Sequence, residues 1–172
     1  MLFRSLPETR TFPTDVWERL QRQVMKDYRA NVLLHGDPQG AEPLRKAIAT
    51  YLNLERGAKC SPDQILVLSS TRQALFLCAQ LLVDAGKPIL LENPGYFGAK
   101  KAFESAETKV VSIDVDALGI RTDLLQADRS GANCVYVTPS HQYPTGATLP
   151  LERRLELINW RSEERCVGKE CP

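Results

Sequence analysis

Nowhere does this chain carry an apolar run near the roughly 18 residues a membrane span requires, and its N-terminus has no signal-peptide core. An excess of one charge is missing too. With 22 Lys and Arg against 21 Asp and Glu, the formal net charge is +1. That balance offers no electrostatic case for nucleic acid or an anionic membrane. The five cysteines (Cys60, Cys78, Cys134, Cys166, Cys171) include no CxxC pair and no other metal-ligand spacing. Cys78 and Cys134 lie in apolar stretches, where a free thiol behaves as a small buried hydrophobe. Internal repeats and low-complexity segments are absent. So is a G-x-G-x-x-G at any strand–helix junction, which disfavours a doubly wound nucleotide-binding module. What is present, 172 residues at 43% hydrophobic and 25% charged, reads as one soluble domain or a piece of a larger one, in a reducing cytoplasm.

The stretch Ile65-Leu66-Val67-Leu68-Ser69-Ser70-Thr71-Arg72-Gln73-Ala74-Leu75 organises the rest. Its four leading apolar residues predict a short strand buried on both faces. From near Thr71, Ala74, Leu75, Leu77, Cys78, Leu81 and Leu82 recur at helical spacing, which predicts a helix over 72–84. A strand feeding a helix through Ser-Ser-Thr puts free N–H groups, hydroxyls and a positive dipole end at one point. That is either a plain N-cap or an anion site suited to phosphate.

Upstream, Pro7 and Pro13 punctuate a polar arm, and Thr14 or Asp15 caps a helix bearing Trp17, Leu20 and Val24. The loop His35-Gly36-Asp37-Pro38-Gln39-Gly40 precedes a second helix with Leu44, Ile48, Tyr51 and Leu52 as its stripe, stopping near Gly57. Downstream, short apolar strands at 89–91, 110–113 and 134–137 alternate with helices around 99–106, after Thr122-Asp123, and from Pro150. This alternation predicts right-handed crossovers and a mainly parallel sheet covered on both faces. In such sheets ligands bind beyond the carboxyl ends of the strands. Three strand ends here run into loops of unusual chemistry: Ser-Ser-Thr, Asn-Pro-Gly-Tyr and Ser-His-Gln-Tyr-Pro-Thr-Gly. They are expected to converge.

These residues resemble a family. Gly36-Asp37-Pro38-Gln39-Gly40 with Leu44-Arg45-Lys46-Ala47-Ile48-Ala49-Thr50-Tyr51-Leu52 is similar to the substrate-side loop and first helix of fold-type I pyridoxal-phosphate enzymes. Ser69-Ser70-Thr71-Arg72-Gln73-Ala74-Leu75 resembles their phosphate-binding turn, and Glu92-Asn93-Pro94-Gly95-Tyr96 the segment whose aromatic ring covers the cofactor. Thr138-Pro139-Ser140-His141-Gln142-Tyr143-Pro144-Thr145-Gly146 resembles a further cofactor-contacting loop. The likeness spans roughly 10–160 and is narrowest to the aminotransferase-like domain of MocR-type GntR transcriptional regulators.

The resemblance implies an α/β, aspartate aminotransferase-like large-domain portion, incomplete, with an arm and helices at 1–59 and a partial cofactor-binding domain at 60–160. It implies pyridoxal 5′-phosphate held by Ser70, Thr71, Arg72, Tyr96 and Tyr143, with no metal. For Arg72 the side chain either pairs with phosphate or is solvated, so the expectation rests on its backbone. The implied partner is an amino acid or 2-oxo acid, in a homodimeric, cytoplasmic complete protein. DNA would be bound only through an N-terminal helix-turn-helix outside this chain. Tyr143 departs from the Asn that many aminotransferases place there and favours the MocR branch. His141 either faces the ligand or satisfies loop carbonyls. The tail at 161–172 departs from the family, and none of the eight lysines (Lys26, Lys46, Lys59, Lys87, Lys100, Lys101, Lys109, Lys169) has a Ser/Thr neighbour at a strand end. The expectation is an internal fragment, poorly stable alone, with no catalytic residue and no transamination, its complete protein being either enzyme or regulator.

Overall fold

Strand β1 (Ile89–Asn93) is the axis of the fold. In a computed structural model that describes residues 9–163, Ile89, Leu90, Leu91 and Glu92 are all buried. A strand buried on both faces needs apolar residues in succession rather than alternation. Its two faces nonetheless separate cleanly. Ile89 and Leu91 pack with Leu75, Ala79, Ala99, Ala102 and Phe103, while Leu90 packs with Ile113, Ile120, Leu125, Ala132 and Leu149. Burying each such Ile or Leu contributes about 1.5–3 kcal/mol.

The first cluster is carried by helices α3 (Thr71–Leu82) and α4 (Phe97–Ser105), the second by α5 (Thr122–Ala127) and the approach to α6 (Leu151–Glu163). Strands β2 (Val110–Asp116) and β4 (Cys134–Tyr136) flank β1 and run parallel to it, Ile89 pairing with Val110 on one side and Cys134 on the other. The two-residue β3 (Gly119–Ile120) pairs antiparallel with β2, giving the order β3-β2-β1-β4. That hairpin has no signal in the sequence reading, since two residues are too few to show a period.

Helices α1 (Thr14–Tyr28) and α2 (Glu42–Arg56) precede the sheet, and the chain divides into two compact units between Val67 and Leu68. In the first unit α2 ends on Gly57 in the left-handed conformation, as expected of a helix stop. Its stripe is rotated from expectation. Arg45 and Ala49 are its buried residues, and Leu44 and Tyr51 are exposed. α1 buries none of its residues, and its N-cap, Pro13, makes no side-chain cap.

Two expectations are corrected. Ile65 is extended, but residues 65–68 join no ladder, and Leu66 is exposed. The Val67 N–H goes instead to the Gln39 carbonyl at 2.8 Å. Apolar runs of this length predict an extended conformation but do not by themselves provide a neighbour to pair with. Cys78 is also exposed rather than buried, because Leu75 and Ala79 take the inward face of α3. The expected tail, with Cys166, Lys169 and Cys171, lies outside the described residues from position 164 onward.

Candidate functional site

The carboxyl edge of the sheet gathers the chemistry. α3 packs on β1, and a turn closed by the Lys87 N–H on the Asp84 carbonyl links them. Twelve helical residues and five extended ones cover similar lengths, roughly 18 and 17 Å. The turn reverses the chain, so the start of α3 stands at the edge where β1 ends.

Ser70 is the N-cap of α3, extended at φ −161° and ψ 157°, and its Oγ accepts from the Gln73 N–H at 3.2 Å. Gln73 reciprocates, its Oε1 accepting from the Ser69 N–H (3.0 Å) and Oγ (2.8 Å). Gln73 thus lashes the turn on both sides. The N–H groups of Thr71 and Arg72 find no acceptor among the described residues. Two adjacent unsatisfied donors at the positive end of a helix are suited to an anion. The Arg72 side chain is exposed.

Tyr96 is the N-cap of α4, its carbonyl accepting from the N–H groups of Ala99 (3.0 Å) and Lys100 (3.3 Å). Its ring is half-buried against the cluster of Leu91 and Phe103. Tyr143 meets it edge to face, with centroids 5.6 Å apart and planes at 79°. The structure therefore brings Tyr96 and Tyr143 into contact. Ser70, Thr71 and Arg72 stand together at the helix start, apart from the ring pair. His141 is exposed.

Behind the rings lies a polar network absent from the sequence reading. Glu92, 6% exposed, accepts at Oε2 from the Thr138 N–H (3.2 Å), the Thr138 hydroxyl (2.6 Å) and the Gln142 amide (3.3 Å). Gln142, 2% exposed, also donates to the carbonyls of Pro94 (2.9 Å) and Tyr143 (2.6 Å). Its Oε1 accepts from the Thr145 N–H and hydroxyl. The Thr138 hydroxyl in turn accepts from the Tyr143 N–H at 3.1 Å. Every one of these bonds joins loop 138–146 to itself or to the end of β1. Both X-Pro bonds in the two loops, Asn93-Pro94 and Tyr143-Pro144, are cis. Nearby on β4, burial raises the Tyr136 phenol pKa, with the Glu92 carboxylate adding to it. A carboxylate closing an apolar strand was the available signal for this network. A lone Glu at a strand end is common enough that it said little by itself.

A cavity of about 730 Å³ lies elsewhere. It is lined by Leu81, Leu82, Lys87, Asn133, Val135 and Trp160, from the last turn of α3 and the start of β4, and so opens at the opposite edge of the sheet.

Comparison with known proteins decides what this edge belongs to. The profile of the family described as Aminotransferase class I and II matches residues 6–166. The chain belongs to the class I and II aminotransferase family. Within it, the chain is 35% identical over 152 residues to the probable rhizopine catabolism regulatory protein MocR of Rhizobium meliloti, covering 88% of this chain and 30% of that one. It is 30% identical over 165 residues to aromatic-amino-acid aminotransferase 1 of Thermococcus litoralis, covering 92% and 40%. Among solved structures, an archaeal alanine:glyoxylate aminotransferase superposes with a TM-score of 0.82 at 28% identity, over 91% of this chain and 40% of that one. The chain thus spans between about a third and two-fifths of the proteins it matches. Its architecture is the α/β, aspartate aminotransferase-like large-domain portion, mainly parallel with helices on both faces. Functionally it is an aminotransferase-like domain, with relatives named both as aminotransferases and as regulators. Among the described residues no helix is long and apolar enough to cross a membrane.

Proposed function

We propose that this chain holds pyridoxal 5′-phosphate at the carboxyl edge of its sheet, and that the complete, homodimeric cytoplasmic protein transfers an amino group between an amino acid and a 2-oxo acid. The observation that carries this reading is the pair of N–H groups at Thr71 and Arg72 without acceptors. They would hold the phosphate, with the hydroxyls of Ser70 and Thr71 as further donors. Ser70 Oγ already accepts from Gln73, which leaves its proton to donate. Tyr96 would lie against the ring, and Tyr143 would fix Tyr96 from the side. When bound, the cofactor supplies the electron sink for chemistry at the substrate's α-carbon. The chain's own part is to seat the phosphate and shield one side of the ring from water.

Covalent anchoring is a separate matter. Lys26, Lys46, Lys59, Lys87, Lys100, Lys101 and Lys109 are all exposed. None is desolvated in the way that activates a lysine amine. This supports the reading that the chain does not transaminate by itself. Borohydride reduction with the cofactor and digestion should label surface lysines at random, and one stoichiometrically labelled lysine would overturn that reading.

The phosphate seat is tested by Thr71→Pro. Thr71 is the first helical residue, where proline is tolerated, and the extended Ser70 suits the position before it. The substitution deletes the Thr71 N–H together with its hydroxyl while keeping the helix, and Thr71→Ala, which deletes the hydroxyl alone, is the reference. Titration of the 172-residue chain with pyridoxal phosphate should show an affinity loss of about tenfold, the size of one charge-assisted hydrogen bond. Unchanged affinity would refute the seat.

Relatives named as transcriptional regulators favour a second reading, in which the complete protein binds DNA and this domain senses an amino acid through its cofactor. A helix-turn-helix encoded upstream, with ligand-dependent DNA binding in a mobility-shift assay, would establish it over the first.

A further inference from the structure

Gly98 is the second residue of α4, and its φ is not in the left-handed region, so nothing in its backbone asks for glycine. Glycine is also a poor helix former. Its neighbour explains it. A Cβ built at Gly98 would fall 2.8 Å from Cε1 of Tyr96 and closer still to Cζ. The phenol of Tyr96 therefore lies across the bare Cα, in space that any side chain would fill.

The other ring is held from the opposite direction. Gln142 donates its amide to the carbonyls of Pro94 and Tyr143 and to Glu92, while its Oε1 accepts from Thr145. With Glu92, which accepts from Thr138, it joins the segment leading to Tyr96 with the loop bearing Tyr143, and it alone of the two donates to the Tyr143 carbonyl. Neither Glu, which cannot donate when ionised, nor Leu could replace it.

We propose that Gly98 and Gln142 are positioning residues that set the Tyr96–Tyr143 ring pair, Gly98 by vacating the place of the Tyr96 ring and Gln142 by clamping residues 94 and 143 together. Their relevance to ligand binding rests on the reading that Tyr96 lies against the cofactor ring. The ring geometry itself does not depend on that reading. The two claims are therefore separable by experiment.

The test uses the whole chain with Gly98→Ala, Gln142→Glu and Tyr96→Leu, singly and with Gly98→Ala and Tyr96→Leu combined. Two quantities are read: the near-UV tyrosine circular dichroism without ligand, and the pyridoxal phosphate dissociation constant. Gly98→Ala should keep the far-UV spectrum, since alanine favours the helix, yet alter the tyrosine band and weaken binding by roughly tenfold, the upper range of an aromatic contact. In the Tyr96→Leu background the same alanine should have no effect on either quantity, a coupling that a purely structural glycine would not show. Gln142→Glu should alter the band at pH 7 and recover part of it on acidification, as the introduced carboxyl regains a proton to donate. Should Gly98→Ala not fold, Gln142→Glu and the milder Thr138→Val carry the same comparison. Wild-type tyrosine bands in Gly98→Ala and Gln142→Glu, or additive effects in the double variant, would overturn the proposal. If the unmodified chain shows no saturable cofactor binding, the functional reading falls, while the tyrosine band still decides the positioning claim.

Discussion

Two loops in this chain solve the same problem with different chemistry. Loop 36–40 and loop 138–146 are both rich in Gly and Pro, and each is held by one buried polar side chain. In the first unit Arg45, its side chain 6% exposed, donates to the carbonyls of Gly40 (3.0 Å) and Pro62 (3.2 Å), to Gln39 Oε1 (3.3 Å) and to the Asp37 carboxylate (2.7 Å). In the second unit Gln142 donates and accepts in equal earnest. A guanidinium is donor-only and always charged, so it suits a loop that turns carbonyls and a carboxylate inward. Loop 138–146 turns both carbonyls and N–H groups inward, and an amide, with its separate donor and acceptor atoms, serves both at once. The side chain is matched to the polarity of the backbone it meets.

The first loop also depends on Gly40. At φ +103° it lies where L side chains are strained, and a Cβ there would fall 2.5 Å from Val67 Cβ. The backbone approaches residue 67 so closely that the Val67 N–H reaches Gln39. This contact occupies the donor that a strand at 65–68 would have used in a ladder.

The largest expected effect is at Arg45. Arg45→Met should destabilise the first unit by about 3 kcal/mol in urea unfolding, because it leaves the Gly40 carbonyl without a donor and takes the charged donor from the Asp37 carboxylate and the Pro62 carbonyl. Arg45→Lys should recover less than half of that, since an ammonium cannot reach four acceptors in a fixed plane. Full recovery by lysine would mean that charge alone holds the loop, and the contrast with Gln142 would collapse.

Gln142→Leu should cost less, about 2 kcal/mol, as the carbonyls of Pro94 and Tyr143 lose a neutral donor. A loss equal to that of Arg45→Met would erase the distinction between charged and neutral clamps.

The smallest effect sharpens the comparison from outside. Arg153 makes a bidentate pair with Asp116 (2.8 and 2.7 Å), its guanidinium more exposed than that of Arg45. The Arg153 hydrogen bond, helped by the Leu118 N–H, depresses the Asp116 pKa from 3.8 to about 2. A depressed carboxylate stabilises the fold above its ordinary value and loses that contribution as pH falls from about 4 through about 2. Asp116→Asn should therefore lower stability modestly at pH 7 and leave it unchanged below about pH 2, which flattens acid unfolding over that interval. A loss at pH 7 as large as that of Arg45→Met would place this half-buried pair with the buried clamps.

Much of the fold was legible from periodicity. Helices α2, α3, α4 and α6 and strands β1, β2 and β4 fall where apolar spacing and capping residues put them. The face of α3 was legible only in part: Leu75 of the expected stripe is buried, but Leu81 and Leu82 are exposed and Ala79, outside that stripe, is buried. The rotated face of α2 shows the limit. Leu44 looks like a core residue, yet the buried position is Arg45, because its guanidinium finds five partners that no local pattern announces. The candidate site divides in the same way. Ser70 as an N-cap follows from local preference, whereas the link from Glu92 to Gln142 joins positions 50 residues apart.

The sequence alone determined the alternation of strands and helices, the apolar run that makes β1 central, the glycine at which α2 stops and the Ser-Ser-Thr start of α3. These are properties of neighbours along the chain, where steric preference and hydrogen bonding act over a few residues. Tertiary structure alone decided that 65–68 would pair with no strand, that Arg45 rather than Leu44 would be buried, and that Tyr96 would lie over Gly98 against Tyr143. Each of these depends on where a distant donor, acceptor or void falls once its own unit has folded, and chain-local physics does not carry that information.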